Sequence, residues 1–288
     1  MQEPISQTID PFSPYEPAAP IEVVKPTPND PPWGSAVAIG MWVASVLLII
    51  IVPALFLAPY AISLASQNSD SADLVKSLST DPTAIVLQVL AIIPAHLITI
   101  LLAWMLVTQG RKYSFRDTLG WESGGMRWWH YLVILVGFFC LATVVGNYLP
   151  EQETELTRIL KSSRSAVFVV AFMATFTAPL VEEVIYRGVL YSALQRTVGV
   201  NAAIGLVTFL FALVHVPQYL ESASTLILLA ILSLILTLVR VRTGNLLPCV
   251  ILHTLFNGIQ SVLLIAEPYL GLEPKPENAI SAITLIFK

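Results

Sequence analysis

Residues 165–194 read SAVFVVAFMATFTAPLVEEVIYRGVLYSAL. A helix needs about 20 mainly apolar residues to cross the hydrocarbon core, and this stretch supplies them. It also carries two adjacent carboxylates, Glu182 and Glu183. An ionisable group at membrane depth costs several kcal/mol unless paired, so such groups mark function by default. A solvated cytosolic helix would not surround the pair with Val181, Val184, Ile185, Val189 and Leu190.

The rest of the chain has the same character. It is 56% hydrophobic and 12% charged, with a mean hydropathy of +0.75. Soluble domains carry about 25% charged residues, so the composition indicates an integral, multi-pass membrane protein. The alternating segments of about 10 residues that build a membrane barrel are absent. Spans are expected at about 36–64, 84–108, 131–149, 165–195, 201–220, 224–241 and 245–266. The expected fold is all-α, a polytopic membrane helix bundle of about seven (six to eight) transmembrane helices. The stretch Ala279–Phe287 is too short to cross and is expected at the interface or packed on the bundle. Trp33, Trp121, Trp128, Trp129 and Tyr131 flank spans as interfacial aromatics do.

Charge places the termini. Residues 1–32 hold five acidic side chains against Lys25 alone, which accounts for the whole net charge of −4, and nine of the 20 prolines. A disordered acidic, proline-rich tail is expected over 1–33, then N-terminal transmembrane helices over 34–164. A catalytic core over 165–266 and a C-terminal tail over 267–288 complete the division. The balanced remainder offers no basic face for nucleic acid. Arg111, Lys112, Arg116 and Arg127 crowd one loop, Arg196 follows the fourth span, and Arg240 and Arg242 follow the sixth. Placing those loops in the cytoplasm puts the N-terminus inside; in a bacterium the membrane would be the plasma or inner membrane. Arg158, Lys161 and Arg164 lie in a loop that this orientation puts outside.

The chemistry-bearing residues fall into three motifs. In Glu182-Glu183-Val-Ile-Tyr-Arg187, neighbouring helical residues point about 100° apart, so the two glutamates have different tasks. Glu183 and Arg187 are four apart in the favoured acid-before-base order, which suits a buried architectural pair. Glu182 has no local partner and is the freer carboxylate, suited to general base work. Pro179, three residues earlier, disturbs the helix and frees a carbonyl. Phe211 and His215 share a face at spacing four, and so do His253 and Asn257. Asn245 is expected to cap the last span, with Pro248 in its first turn. His96 and His130 are read as structural or interfacial, and Cys140 and Cys249 as packed apolar side chains without a disulfide.

Glu-Glu-x-x-x-Arg, Phe-x-x-x-His and His-x-x-x-Asn, in that order on successive apolar segments, resemble the CPBP family over about 165–260. These are type II CAAX prenyl endopeptidases and bacteriocin-processing enzymes, also called the Abi family of intramembrane proteases. The resemblance implies an intramembrane endopeptidase acting on a membrane-associated protein or peptide, with CAAX-like processing as one form. It makes Glu182 the base that activates water and His215 the residue that holds that water. His253 and Asn257 would stabilise the oxyanion, while Glu183, Arg187 and Phe211 support the site. The family is described both as metalloproteases and as metal-independent glutamate proteases. The preferred expectation is no cofactor; the alternative is zinc held by Glu182, His215 and His253. The expected partners are membrane lipid and a protein or peptide substrate. A non-catalytic scaffold or bacteriocin-immunity protein of the same fold is the alternative function. A proton-relaying transporter is the third, against which the missing internal repeat counts.

Overall fold

The computed structural model describes residues 25–66, 71–149, 160, 164–266 and 269. Its helices are α1 (Ser35–Ala65), α2 (Ser71–Thr80), α3 (Pro82–Leu90), α4 (Ile92–Thr108) and α5 (Phe115–Leu119). They continue with α6 (Trp128–Tyr148), α7 (Arg164–Val198), α8 (Val200–Tyr219), α9 (Ala223–Thr243) and α10 (Leu247–Ala266). Among the described residues, seven helical stretches are long and apolar enough to cross a membrane, α3 and α4 counting together as Thr83–Thr108. The protein is thus the all-α polytopic bundle that the sequence suggests, and each span end falls within three residues of its expected place. Its outward faces are apolar: Ile50, Leu55 and Ile62 of α1 are 62%, 66% and 71% exposed. Such a surface suits lipid, where packing rather than water exclusion holds helices together.

Helix α7 is the axis of the arrangement. Its second half packs on α1, α4 and α8, and its first half on α3 and α10. Val184, Ile185, Val189 and Leu190 join Phe211 of α8 in one core. A second core sits between α6, α9 and α10, where Phe138 meets Phe256 edge-on at 4.7 Å.

Several expectations are revised. The proline-rich segment is not loose up to residue 33, because residues 25–33 are fastened to the bundle. Trp33 is buried and its indole N–H donates to the Val189 carbonyl at 3.1 Å. Arg240 donates to Asn29 Oδ1 (3.0 Å) and to the Pro28 carbonyl, and Arg196 donates to the Pro31 carbonyl (2.7 Å). Residues 1–24 and 270–288, including Ala279–Phe287, lie outside the described residues, as do Arg158 and Lys161. The 66–83 connection contains the helix α2, and Asp81 caps α3 by accepting from the Ala84 N–H at 2.8 Å. Asn245 does not cap α10: its amide turns back to the Thr243 carbonyl at 2.8 Å. Cys249 is buried, but Cys140 is on an exposed face of α6. His130 is structural as expected, its Nδ1 accepting from the Arg127 N–H at the start of α6.

One glycine ties the loop after α4 to the turn between α9 and α10. Gly120 has φ +77°, and a Cβ there would come within 2.8 Å of Asn245 Oδ1 and 2.9 Å of Pro28 Cγ. Its carbonyl accepts from the Leu246 N–H at 2.7 Å. The 109–127 loop and residues 25–33 therefore meet at the end of the bundle where α9 turns into α10.

Candidate active site

The two glutamates lie on a short α-helical piece of α7, Ala178–Glu183, between two π-helical turns, Met173–Thr177 and Val184–Leu190. Such insertions favour functional sites, since each extra residue re-aims the side chains that follow. The first has a local cause. Ala178 N–H reaches back five residues to the Met173 carbonyl. In that register the next donor, to the Ala174 carbonyl, would be Pro179, which has no N–H. The orphaned carbonyl is satisfied from another helix: Asn257 Nδ2 donates to it at 2.8 Å. Ser261, one turn along α10, donates to the Ala171 carbonyl at 3.3 Å and holds the same pair of helices together.

Glu183 and Arg187 are both 0% exposed and paired at 2.8 Å. Arg187 also donates to Thr237 Oγ1 (3.3 Å), to the Ser233 carbonyl (2.9 Å) and to Ser233 Oγ (2.8 Å). Its guanidinium lies 5.0 Å from the Phe211 ring centroid. A desolvated cation thus finds acceptors and a π face, as burial of charge requires. Ser233 and Thr237 escaped the sequence reading, although a Ser-x-x-x-Thr pair in an otherwise apolar span was a visible signal.

The same carboxylate oxygen, Glu183 Oε1, receives His253 Nδ1 at 2.8 Å. A carboxylate only accepts, so Nδ1 carries a proton and the other ring nitrogen is turned away. That nitrogen, Nε2, is 3.8 Å from Glu182 Oε2. Glu183 thus does more than hold the helix: it orients His253 toward its neighbour. The Glu182 side chain is 24% exposed, in contrast to Glu183.

The other two residues join less directly. His215 Nδ1 donates to the Phe211 carbonyl at 2.7 Å, and its ring lies 4.8 Å from the Phe211 ring. Phe211 in turn lies 6.1 Å from the His253 ring and 5.1 Å from Tyr186. His215 therefore borders the site across Phe211. Asn257 sits one turn beyond His253, with one amide N–H committed to Ala174. His96, expected to be structural, is buried on α4, where its Nδ1 meets the Thr177 hydroxyl of the first π turn at 2.9 Å. Among the described residues no group of three or more His, Cys, Asp or Glu side chains is placed to hold a metal ion.

Residues 25–33 and the 109–127 loop pack beside Arg196 and the Arg242–Asn245 turn. A cavity of about 760 Å³ lies elsewhere, between the first half of α7 and the second half of α10. Phe168, Phe172, Phe176, Leu255 and Val262 line it, and it reaches Thr254, next to His253.

Residues 164–259 match the family model described as type II CAAX prenyl endopeptidase Rce1-like. No curated protein matches the chain, and neither does any solved structure. The matched third of the chain spans α7 to α10 and holds both glutamates, Arg187, both motif histidines and Asn257. Over residues 164–259 this multi-pass membrane protein is therefore similar to the Rce1-like type II CAAX prenyl endopeptidases.

Proposed function

We propose that the protein hydrolyses a peptide bond in a membrane-associated protein or peptide, using a water activated by Glu182 and no metal. The observation that carries this reading is the contrast between adjacent carboxylates. Glu183 is buried and spent on Arg187 and His253, while Glu182 is partly exposed with His253 Nε2 3.8 Å away.

Glu182 takes a proton from water as the oxygen attacks the scissile carbonyl carbon, a general-base role worth about 10²–10⁴-fold in rate. The oxyanion accepts from His253 Nε2 when that nitrogen is protonated, and from the second N–H of Asn257. Glu182 then returns the proton to the departing amine nitrogen as the carbon–nitrogen bond breaks, which restores the carboxylate. His215, with Nδ1 committed to Phe211, offers Nε2 to the water from the α8 side. Glu183 and Arg187 hold His253 and the π-turned segment in place. The cavity between α7 and α10 suits an apolar part of the substrate, since it opens beside the residue following His253.

The N-terminus faces the cytoplasm in this reading. Support comes from the gathering of residues 25–33, Arg196, Arg240 and the arginine-rich 109–127 loop at one end of the bundle.

A substrate trap tests the function. Membranes containing the Glu182→Gln variant should accumulate an intact membrane protein that the unaltered enzyme shortens. Identical profiles of membrane proteins with and without the substitution would favour a binding role for the fold.

A further inference from the structure

The second π-helical turn of α7 carries Arg187, the first link in the contacts that run from Arg187 through Glu183 to His253. Such turns are rare and short, so what holds this one bears on the site. Helix α1 packs against it, although α1 lies outside the family-matched residues. Two indoles reach the turn from that side. Trp33, two residues before α1, is 4% exposed and donates from Nε1 to the Val189 carbonyl at 3.1 Å. Trp42, within α1, donates from Nε1 to the Tyr186 hydroxyl oxygen at 3.0 Å.

The two acceptors stand on either side of Arg187, and both residues are buried. The earlier indole takes the later acceptor, so α1 and α7 run antiparallel here. The Val189 carbonyl also faces the Ser192 hydroxyl at 3.1 Å, but that hydroxyl lies closer to the Gly188 carbonyl, at 2.6 Å, and has one proton for the two. The Trp33 indole is the donor that Val189 does not share. At the other point, the Tyr186 ring meets Phe211 edge-on at 5.1 Å, and Phe211 is the ring that faces the Arg187 guanidinium at 5.0 Å. A slip of register in this turn would move Arg187 against its acceptors Ser233 and Thr237, which belong to α9.

We propose that Trp33 and Trp42 are positioning residues of the active site: two indole N–H groups that clamp the second π turn in register, and with it Arg187, Glu183 and His253. The clamp touches no reacting atom. It acts through Arg187, whose bond to Glu183 Oε1 fixes the oxygen that receives His253 Nδ1. The first transmembrane helix thereby governs where His253 Nε2 points. The kinetic consequence rests on the proposed proteolysis, but the positioning of His253 stands without it.

Phenylalanine keeps an apolar ring at either position and lacks the N–H. On the substrate identified by the Glu182→Gln trap, Trp33→Phe and Trp42→Phe should each lower kcat about 10-fold with KM unchanged, as expected for a misplaced reacting group. Tyr186→Phe removes the acceptor of Trp42 and alters nothing on α1. It should lower kcat equally, and Trp42→Phe combined with Tyr186→Phe should lower it no further. Unaltered kcat in the single variants, or losses that multiply in the double one, would overturn the clamp and leave simple packing. The second measurement needs no substrate: ¹⁵N-histidine NMR of the full chain in lipid, with His253 assigned through the His253→Ala spectrum. The His253 Nδ1–H signal should move in Trp33→Phe, Trp42→Phe and Tyr186→Phe, and stay in Trp128→Phe, which removes an exposed indole of α6. A His253 signal indifferent to the first three would overturn the proposal even if proteolysis is established. Where a tryptophan variant fails to fold, Tyr186→Phe, which removes only a hydroxyl, decides by the same signal. If Glu182→Gln itself cleaves normally, the proteolytic reading falls, and the NMR result alone decides whether the clamp positions His253.

Discussion

Replacing Arg187 by methionine strips the buried Glu183 of its cation. Arg187 is fully buried and makes four side-chain hydrogen bonds, to Glu183, Thr237 and twice to Ser233. Breaking a buried ion pair from one side leaves an uncompensated charge and costs roughly 3–5 kcal/mol. At roughly 2–4 °C per kcal/mol for a large domain, the unfolding temperature should fall by about 6–20 °C. Cys249 supplies the assay, because it is 0% exposed and its thiol becomes reactive only when the core opens. In a Cys140→Ser background, which removes the exposed thiol, a thiol-reactive fluorophore reports unfolding of the α9–α10 core directly. Glu182→Gln in the same assay should unfold within about 1 kcal/mol of the unaltered protein, since its carboxylate is partly exposed. Adding Glu183→Gln to Arg187→Met should recover part of the loss, because the pair is then removed from both sides. Equal destabilisation by Arg187→Met and Glu182→Gln, or no recovery in the double variant, would refute the division between architectural and catalytic glutamate.

Further substitutions test the remaining parts. His253→Ala should reduce kcat by about 10²–10³-fold, the scale of a lost oxyanion donor, as measured on the trapped substrate. Asn257→Leu should cost about 1–3 kcal/mol in thermal unfolding as well as activity, because it strands the Ala174 carbonyl that Pro179 leaves without a donor. Gly120→Ala should destabilise by about 1–3 kcal/mol without altering KM, since φ is +77° and the new Cβ would meet Asn245 and Pro28. A strong zinc chelator should leave turnover unchanged; loss of activity restored by added zinc would overturn metal-free catalysis.

Span positions were legible because a lipid solvent demands long apolar runs, and these are broken here by turns rich in charge, glycine and proline. The separate environments of Glu182 and Glu183 were also legible, since a helix cannot aim adjacent residues the same way, and Arg187 stands four residues after one of them only. Less visible was the hydrogen bond from His253 to Glu183, which depends on how α10 meets α7, 70 residues away in sequence. The fastening of residues 25–33 was missed because composition alone describes a proline-rich stretch, while its order comes from backbone carbonyls bound by Arg196 and Arg240. The partner of His96 was hidden for a related reason: a lone histidine after Pro94 has no local partner, and Thr177 belongs to α7. The π turns have one local signal, Pro179, and only the register of the preceding bonds shows which carbonyl it orphans.

The central claim is hydrolysis directed by Glu182. Purified protein, unaltered or Glu182→Gln, can be reconstituted with membrane proteins from a strain lacking it, in water enriched in ¹⁸O, and the peptide termini then sequenced by mass spectrometry. The account predicts new C-termini carrying ¹⁸O, each matched by a new N-terminus, at membrane-associated sites and only with the unaltered protein. Matching termini with Glu182→Gln, or none with either protein, would contradict it.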